Sequence, residues 1–139
     1  VVGEPAFNMT TLPSGKVVAV PCFGGVVLHD NVYIGANTSI SRGGADDTVL
    51  EEDAKVDSNV RIGHDVILHK AVEVTASSLV AGYCEIGFKS FIGLGAVLRN
   101  RVQVGSNSFI AMGSIVVSNV DNNTIVCGVP AKPFKKGKR

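Results

Sequence analysis

The sequence predicts an all-β protein whose chain winds into a parallel β-helix, with short strands stacked on the three faces of a triangular prism. Two observations carry this prediction. An aliphatic residue recurs at every sixth position, and a small or β-branched residue follows each of them four places later. An α-helix repeats every 3.6 residues and a strand every two, so neither produces a step of six. A fixed step of this kind is typical of stacked-coil architectures.

The aliphatic series has no exception over its regular part. It consists of Leu50, Val56, Ile62, Leu68, Val74, Val80, Ile86, Ile92, Leu98, Val104, Ile110 and Val116. Leu28, Ile34 and Ile40 keep the same step upstream, and four extra residues separate Ile40 from Leu50. Three hexads close one coil, so the repeat predicts about five coils stacked on one another.

The accompanying small residues explain how such a coil closes. They are Ala54, Val60, Val66, Val72, Ser78, Cys84, Ser90, Ala96, Val102, Ser108, Ser114 and Val120. We expect the aliphatic side chains to point into the prism and the small ones to fill the narrow space beside them. Each inward aliphatic side chain should contribute on the order of 1.5–3 kcal/mol by burial. Neighbouring coils must stack, because a single coil cannot bury its own apolar face.

The repeat divides the sequence into three parts. Residues 1–27 are predicted to cap the first coil, because an uncovered parallel edge invites aggregation. Residues 28–121 form the predicted β-helix, and the four extra residues leave it as a loop at 41–49. Residues 122–139 form a C-terminal tail with a basic end. Insertions on one coil of a repeat protein commonly line functional sites.

Composition excludes several classes of protein. Hydrophobic residues make up 45% and charged residues 18%, which is too apolar for a disordered chain. The net charge of +1 predicts no nucleic-acid partner. No apolar run approaches the roughly 20 residues that span a bilayer, so we expect neither membrane insertion nor a signal peptide. Three widely spaced cysteines favour reduced thiols and a cytoplasmic protein.

The repeated Leu/Ile/Val-Gly-x-x-x-x pattern resembles the hexapeptide-repeat acyltransferases. This resemblance implies a left-handed β-helix, although most parallel crossovers are right-handed. It also implies a homotrimer about a threefold axis, an arrangement that suits a prism with apolar flat faces. The donor would be a thioester, either acyl-CoA or an acyl carrier protein, and no permanently bound cofactor is expected.

A longer segment is similar to one branch of this superfamily. Residues 21–65 read PCFGGVVLHDNVYIGANTSISRGGADDTVLEEDAKVDSNVRIGHD. They resemble the β-helical domain of the UDP-3-O-acylglucosamine N-acyltransferases, and His64 matches a catalytic histidine of that family. Arg101 stands where that family has its second histidine. The segment Gly-Val-Pro-Ala-Lys-Pro at 128–133 resembles instead the CoA-dependent branch, which implies that Lys132 lies beside the donor.

The spacing gathers a candidate site around His64. One coil later in the repeat stands Gly82, followed after another coil by Asn100. An imidazole suits a general base acting on an amine or hydroxyl, and the resemblance implies that this group belongs to a sugar. Gly82 either offers its backbone N–H to the thioester oxyanion, the role that the resemblance implies, or is a turn glycine. Either Asp65 or Asp57 orients the imidazole, and Asn100 joins Lys132 as a candidate donor-binding residue.

Two alternatives belong to other classes. Gly63 to His69 also resembles the Gly-His-x-x-x-Leu-His segment of γ-class carbonic anhydrases, which share a metal between subunits. His64, His69 and Glu51 would then be the ligands, an acceptable set for zinc with an open water position. The other alternative is a catalytically inactive β-helix scaffold, in which Arg101 marks the loss of an ancestral activity.

Overall fold

The computed structural model describes residues 1–134, so the last five residues of the predicted basic tail lie outside the described part. Residues 1–134 contain twenty short strands and no helix. The strands are β1 (Val2–Glu4), β2 (Met9–Thr11), β3 (Val17–Ala19), β4 (Val26–Leu28), β5 (Tyr33–Ile34), β6 (Ser39–Ser41), β7 (Thr48–Leu50), β8 (Lys55–Val56), β9 (Arg61–Ile62), β10 (Ile67–Leu68), β11 (Glu73–Val74), β12 (Leu79–Val80), β13 (Glu85–Ile86), β14 (Phe91–Ile92), β15 (Val97–Leu98), β16 (Gln103–Val104), β17 (Phe109–Ile110), β18 (Ile115–Val116), β19 (Ile125–Gly128) and β20 (Ala131–Pro133).

Apart from β2 and β3, which form a separate antiparallel pair, these strands form the three faces of a parallel β-solenoid, as the repeat predicts. Face 1 has the strand order β1-β6-β9-β12-β15-β18, and face 2 has the order β4-β7-β10-β13-β16. Face 3 runs β5-β8-β11-β14-β17-β19 and ends with β20. The register is uniform: Ile67 pairs with Glu85, and Glu85 pairs with Gln103. Residues 18 apart therefore stand above one another on neighbouring coils.

The solenoid has about six turns, one more than the sequence predicts. The extra strands come from segments that lack the six-residue pattern. Strand β1 pairs in parallel with β6 and adds a layer below face 1. Strand β19 pairs in parallel with β17 and adds a layer above face 3. A strand can join a sheet through its backbone even where its side chains do not follow the six-residue pattern. The pattern alone therefore did not predict these two strands.

The interior consists of the two residue series that the sequence predicts. All twelve aliphatic residues from Leu50 to Val116 are buried, and so are the twelve small residues that follow them. The serines among the small residues hydrogen-bond to backbone groups of neighbouring corners. Ser78 Oγ donates to the Gly93 carbonyl at 2.9 Å, and Ser90 Oγ donates to the Gly105 carbonyl at 2.6 Å. The narrow corners thus hold polar side chains without leaving them unsatisfied.

The corners share one turn geometry, and this geometry positions the site. One residue in most corners has a positive φ, with values of 53–66° for twelve non-glycine residues. Asp65, Tyr83 and Arg101 occupy this place on three successive coils. Asparagine and aspartate tolerate the left-handed region best, whereas tyrosine and arginine rarely adopt it.

Segments outside the six-residue repeat contact both ends of the prism. Below, Glu4 of β1 accepts hydrogen bonds from Arg61 and Ser39 on face 1. Above face 2, the Asn119 side chain accepts a hydrogen bond from the Gln103 amide at 2.9 Å. Asn122 does the same for the next corner, and β20 runs antiparallel along β19 on face 3. Side chains and a reversed strand thus occupy edges that a further coil would need.

Two further expectations concern membrane insertion and the state of the cysteines. No helix in the part of the chain that the structure describes is long and apolar enough to cross a membrane. Cys22, Cys84 and Cys127 are all unpaired, and Cys84 is buried among the core residues. Burial raises the pKa of the Cys84 thiol, which suits a core residue rather than a nucleophile.

Candidate active site

The candidate residues meet at the corner between face 1 and face 2, called here the His64 corner. Its turns are residues 63–66, 81–84 and 99–102, each following a strand of face 1. The inserted loop, between β6 and β7, leaves the prism at the same corner one coil below His64. The insertion that the sequence predicts therefore lies beside the predicted base.

Asp65 joins His64 to this loop. Its Oδ2 lies 2.7 Å from Nδ1 of His64. The same carboxylate accepts hydrogen bonds from three successive loop amides: Gly44 at 2.8 Å, Ala45 at 3.2 Å and Asp46 at 3.1 Å. With Nδ1 donating to the carboxylate, Nε2 is the nitrogen left to accept a proton.

Hydrogen bonding keeps Asp65 ionised. Burial by itself would raise the pKa of this carboxyl group, since only 5% of the side chain is exposed. The hydrogen bonds from Gly44, His64 and the other loop amides together outweigh burial and lower the pKa below its ordinary value. A charged carboxylate at Nδ1 fixes one tautomer of the imidazole and stabilises it when it becomes protonated.

Asp57, the other aspartate that the sequence offers as an orienting group, lies elsewhere. It is exposed at the preceding corner, where its Oδ1 accepts a hydrogen bond from the Ser58 amide at 2.7 Å. Between the two alternatives, the carboxylate in contact with His64 is therefore that of Asp65.

Gly82 packs directly on the imidazole. A Cβ atom at this position would lie 2.7 Å from Nε2 of His64 and 2.9 Å from Cε1. Its amide N–H donates to no acceptor among residues 1–134. Gly63 allows this packing, because a Cβ there would lie 2.5 Å from the Gly82 nitrogen. The structure therefore places the backbone of Gly82 against Nε2 of His64.

Two residues of this corner were missed as site residues by the sequence reasoning. The Tyr83 ring meets the His64 ring edge to face, with centroids 4.9 Å apart and an interplanar angle of 86°. The Arg101 guanidinium lies over the same Tyr83 ring, with its Cζ atom 4.3 Å from the ring centroid. Their spacing could have revealed them, since residues 65, 83 and 101 share one place in successive coils.

The two predicted donor-binding residues do not contact His64. Asn100 is exposed at the same corner, on the coil above Gly82. Lys132 lies on β20 and lines a cavity of about 270 Å³. Ser118, which stands one coil above Asn100, lines the same cavity. Asn100 and, above it, the cavity beside Lys132 therefore lie along the His64 corner on the coils above the imidazole.

The three ligands of the alternative metal site are divided between two corners. His69 Nδ1 lies 3.1 Å from Glu51 and its Nε2 lies 2.7 Å from Glu85, on the corner between faces 2 and 3. His64 stands at the other edge of face 2 and contacts Asp65. Within the described residues, no group of three or more His, Cys, Asp or Glu side chains is arranged to hold a metal ion.

Comparison with known proteins relates this corner to one group of enzymes. The chain is 33% identical over 129 residues to the UDP-3-O-acylglucosamine N-acyltransferase of Delftia acidovorans, covering 93% of this chain and 38% of that protein. It is 33% identical over 138 residues to the probable mitochondrial UDP-3-O-acylglucosamine N-acyltransferase 2 of Arabidopsis thaliana, covering 99% and 45%. The chain is similar to these acyltransferases over nearly its whole length. The predicted resemblance is confirmed, although the chain spans less than half of each relative.

Solved structures share the fold of this chain. LpxA from Acinetobacter baumannii superposes with a TM-score of 0.85 at 22% identity, over 96% of this chain and 50% of that one. PerB from Caulobacter crescentus, solved with CoA and GDP-perosamine, gives 0.65 at 24% identity, over 79% and 54%. No family model matches the chain. The solenoid fold of hexapeptide-repeat acyltransferases is therefore shared along nearly the whole sequence.

Proposed function

We propose that this chain carries the acyl-transfer site of a thioester-dependent acyltransferase, with His64 as the general base. One observation carries the proposal: the Asp65 carboxylate holds Nδ1 of His64 at 2.7 Å, which leaves Nε2 beside Gly82 as the proton acceptor. A histidine that is hydrogen-bonded to a carboxylate is a common arrangement for activating an amine or hydroxyl nucleophile. The homologues named N-acyltransferases support a sugar amine as the acceptor.

The transfer proceeds in two steps at this corner. Nε2 of His64 takes a proton from the acceptor amine or hydroxyl as its nitrogen or oxygen attacks the thioester carbonyl carbon. The carbonyl oxygen becomes an oxyanion, and the amide N–H of Gly82 donates a hydrogen bond to it. The oxyanion then collapses, the carbon–sulfur bond breaks, and the imidazolium returns a proton to the departing thiolate. Asp65 stabilises the imidazolium between the two steps.

The donor is proposed to lie along the His64 corner. Its thioester would reach Nε2 from above, passing Asn100, with Lys132 at the upper cavity. A GDP-perosamine N-acetyl transferase from Caulobacter crescentus, solved as a mutant with CoA and GDP-perosamine, is 26% identical with a TM-score of 0.52. This likeness supports acyl-CoA as donor, and an acyl carrier protein is the alternative carrier of the same thioester.

We further propose a cytoplasmic homotrimer of left-handed prisms with sites between subunits. Leu79, Val97 and Ile115 stand above one another on the outer side of face 1. Leu79 and Ile115 are 39% and 37% exposed in the single chain. An exposed apolar stripe that runs beside the His64 corner supports packing of a second subunit against this edge.

The test is an acyl-transfer assay with the purified chain. Acetyl-CoA and a longer acyl-CoA or acyl carrier protein are offered with a UDP-linked amino sugar, and the released thiol is measured. His64→Ala should lower the rate about 10²–10⁴-fold. His29→Ala removes an exposed histidine from another corner and serves as the control. Equal rates for His64→Ala and the unmodified chain would refute the proposal.

A further inference from the structure

Arg101 is held at the His64 corner without a carboxylate partner. Among residues 1–134 it makes no ion pair, and its guanidinium donates no hydrogen bond to another side chain or carbonyl. Its partner is the Tyr83 ring, and the Tyr83 ring in turn packs on His64. One aromatic ring therefore separates a fixed positive charge from the imidazole.

Stacking leaves the hydrogen-bonding edge of this guanidinium open. A guanidinium lying over an aromatic ring contacts it through its face, while its N–H groups point outward in its own plane. That edge matches two oxygens of one anionic group, and phosphate is a preferred partner of this fork. The ring also restricts the side chain, so less conformational entropy is lost when an anion binds.

The neighbouring charges favour an anion at this point. Asp65, the carboxylate of the same corner, is already occupied by His64 and three loop amides. Lys132, a further positive charge, lines the cavity at the top of the corner. A substrate that lies between this cavity and His64 passes Arg101.

We propose that Arg101 binds a phosphoryl group of a substrate and so positions that substrate at His64. The proposal rests on the acyl-transfer function, because both substrate classes named for it carry phosphoryl groups. A CoA-type donor carries a diphosphate, and so does a nucleotide-linked sugar acceptor. Arg101 acts as a specificity residue here, with Tyr83 as the platform that holds its guanidinium.

Calorimetric titrations of the full chain with CoA and with UDP test this assignment. Arg101→Gln should weaken binding of at least one of these ligands about tenfold or more, since a hydrogen-bonded charged pair is lost. Arg99→Gln, which makes the same charge change two residues away, should alter either affinity less than twofold. Weaker binding of CoA alone assigns the phosphoryl group to the donor, and weaker binding of UDP alone assigns it to the acceptor.

Other outcomes would overturn the inference. They are a wild-type chain that binds neither ligand, unchanged affinities in Arg101→Gln, or equal losses in the Arg99 and Arg101 variants. Arg101→Lys separates charge from geometry, because it keeps the charge and removes the fork; it should recover only part of the affinity. The thiol-release assay of His64→Ala tests the base separately, and these titrations test the affinity for CoA and UDP without a transfer step. A failure of acyl transfer therefore remains distinguishable from a failure of phosphoryl recognition.

Discussion

Gly82 and His64 are in such close contact that the position of one dictates the identity of the other. A methyl group on Gly82 would lie within 3.0 Å of three ring atoms of the imidazole, so His64 would have to move. Gly82→Ala should therefore lower acyl-transfer activity about 10²-fold, because small displacements of a reacting group have effects of this size. The assay of thiol release measures it directly.

A matched substitution separates this effect from general strain. Gly113 lies at another corner, has a φ of 66° and would meet no atom within 4 Å of an added Cβ. Gly113→Ala should retain the activity, with a thermal midpoint only slightly lower. Full activity in Gly82→Ala would show that the imidazole does not act from its observed position.

The Asp65 carboxylate contacts both His64 and the inserted loop, so one substitution removes both contacts. Asp65→Asn should reduce activity about 10²-fold, because an amide cannot hold the imidazole and three loop amides in the same way. It should also speed hydrogen exchange at the amides of Gly44, Ala45 and Asp46, which lose their acceptor. Asp57→Asn is the control, since that carboxylate contacts only the adjacent turn. Unchanged exchange at the three amides would contradict the contact.

The same carboxylate predicts a pH dependence of stability. Because folding lowers the pKa of Asp65, its stabilisation is complete above the unfolded pKa near 3.8 and is lost as pH falls through the lower folded value. The unfolding free energies of the wild type and Asp65→Asn should differ by about 1–3 kcal/mol at neutral pH. That difference should shrink only below about pH 4. Urea titrations between pH 3 and pH 7 measure it.

His69 predicts the opposite dependence. Burial alone lowers the pKa of His69, but the hydrogen bonds to Glu85 and Glu51 outweigh burial and raise it above 6.5. Its stabilisation is therefore complete below pH 6.5 and is lost as pH rises through the folded pKa. His69 is 32% exposed, so His69→Gln should cost only about 0.5–1 kcal/mol at pH 6 and less at pH 9.

Thermal melts across this pH range measure the His69 effect. His29→Gln, which replaces a histidine that makes no ion pair among the described residues, is the control for the loss of an imidazole. A His69 difference that grew with pH would contradict the two contacts.

Ile86 tests the inward series of the repeat. Its side chain is fully buried on β13, so Ile86→Asp should abolish soluble folded protein, because an unpaired charge would enter the core. Ile86→Val should fold and lose about 0.5–1.5 kcal/mol. Gln103→Asp places the same carboxylate on the outer side of the neighbouring strand and should fold normally. Soluble, cooperatively melting Ile86→Asp would refute the register.

The six-residue pattern predicted the prism well because the prism is a direct consequence of side-chain size. The inward residue of each strand, such as Ile86, must be aliphatic to fill the prism. The inward residue of each corner, such as Cys84, must be small because the corner is narrow. The same logic placed His64 and Gly82 on one corner, since residues 18 apart stand above one another. Strands β1 and β19 lack the six-residue pattern and pair through their backbones, so the pattern does not predict them.

The site was harder to predict than the fold. The sequence left Asp65 and Asp57 as equal candidates because both flank the same stretch of chain. The choice depends on which carboxylate meets the loop amides, and loop conformation has no repeat to fix it. The stacking of Arg101 on Tyr83 was not predicted, because contacts between side chains at a corner depend on their rotamers. The place that these two residues share with Asp65 shows that the repeat constrains the surface as well as the core.

The upper edges of the solenoid bear on its association with other molecules. Parallel coils offer the same backbone groups to a following coil of the same chain and to the first coil of another molecule, so a bare edge is a template for fibres. Asn119 and Asn122 take up the donors of face 2, and the reversal at β20 presents face 3 with the wrong strand direction. Nothing within the repeat itself ends it. The upper edges of the described solenoid are therefore occupied by a few side chains and one reversed strand, and exposing these edges would offer a template for association.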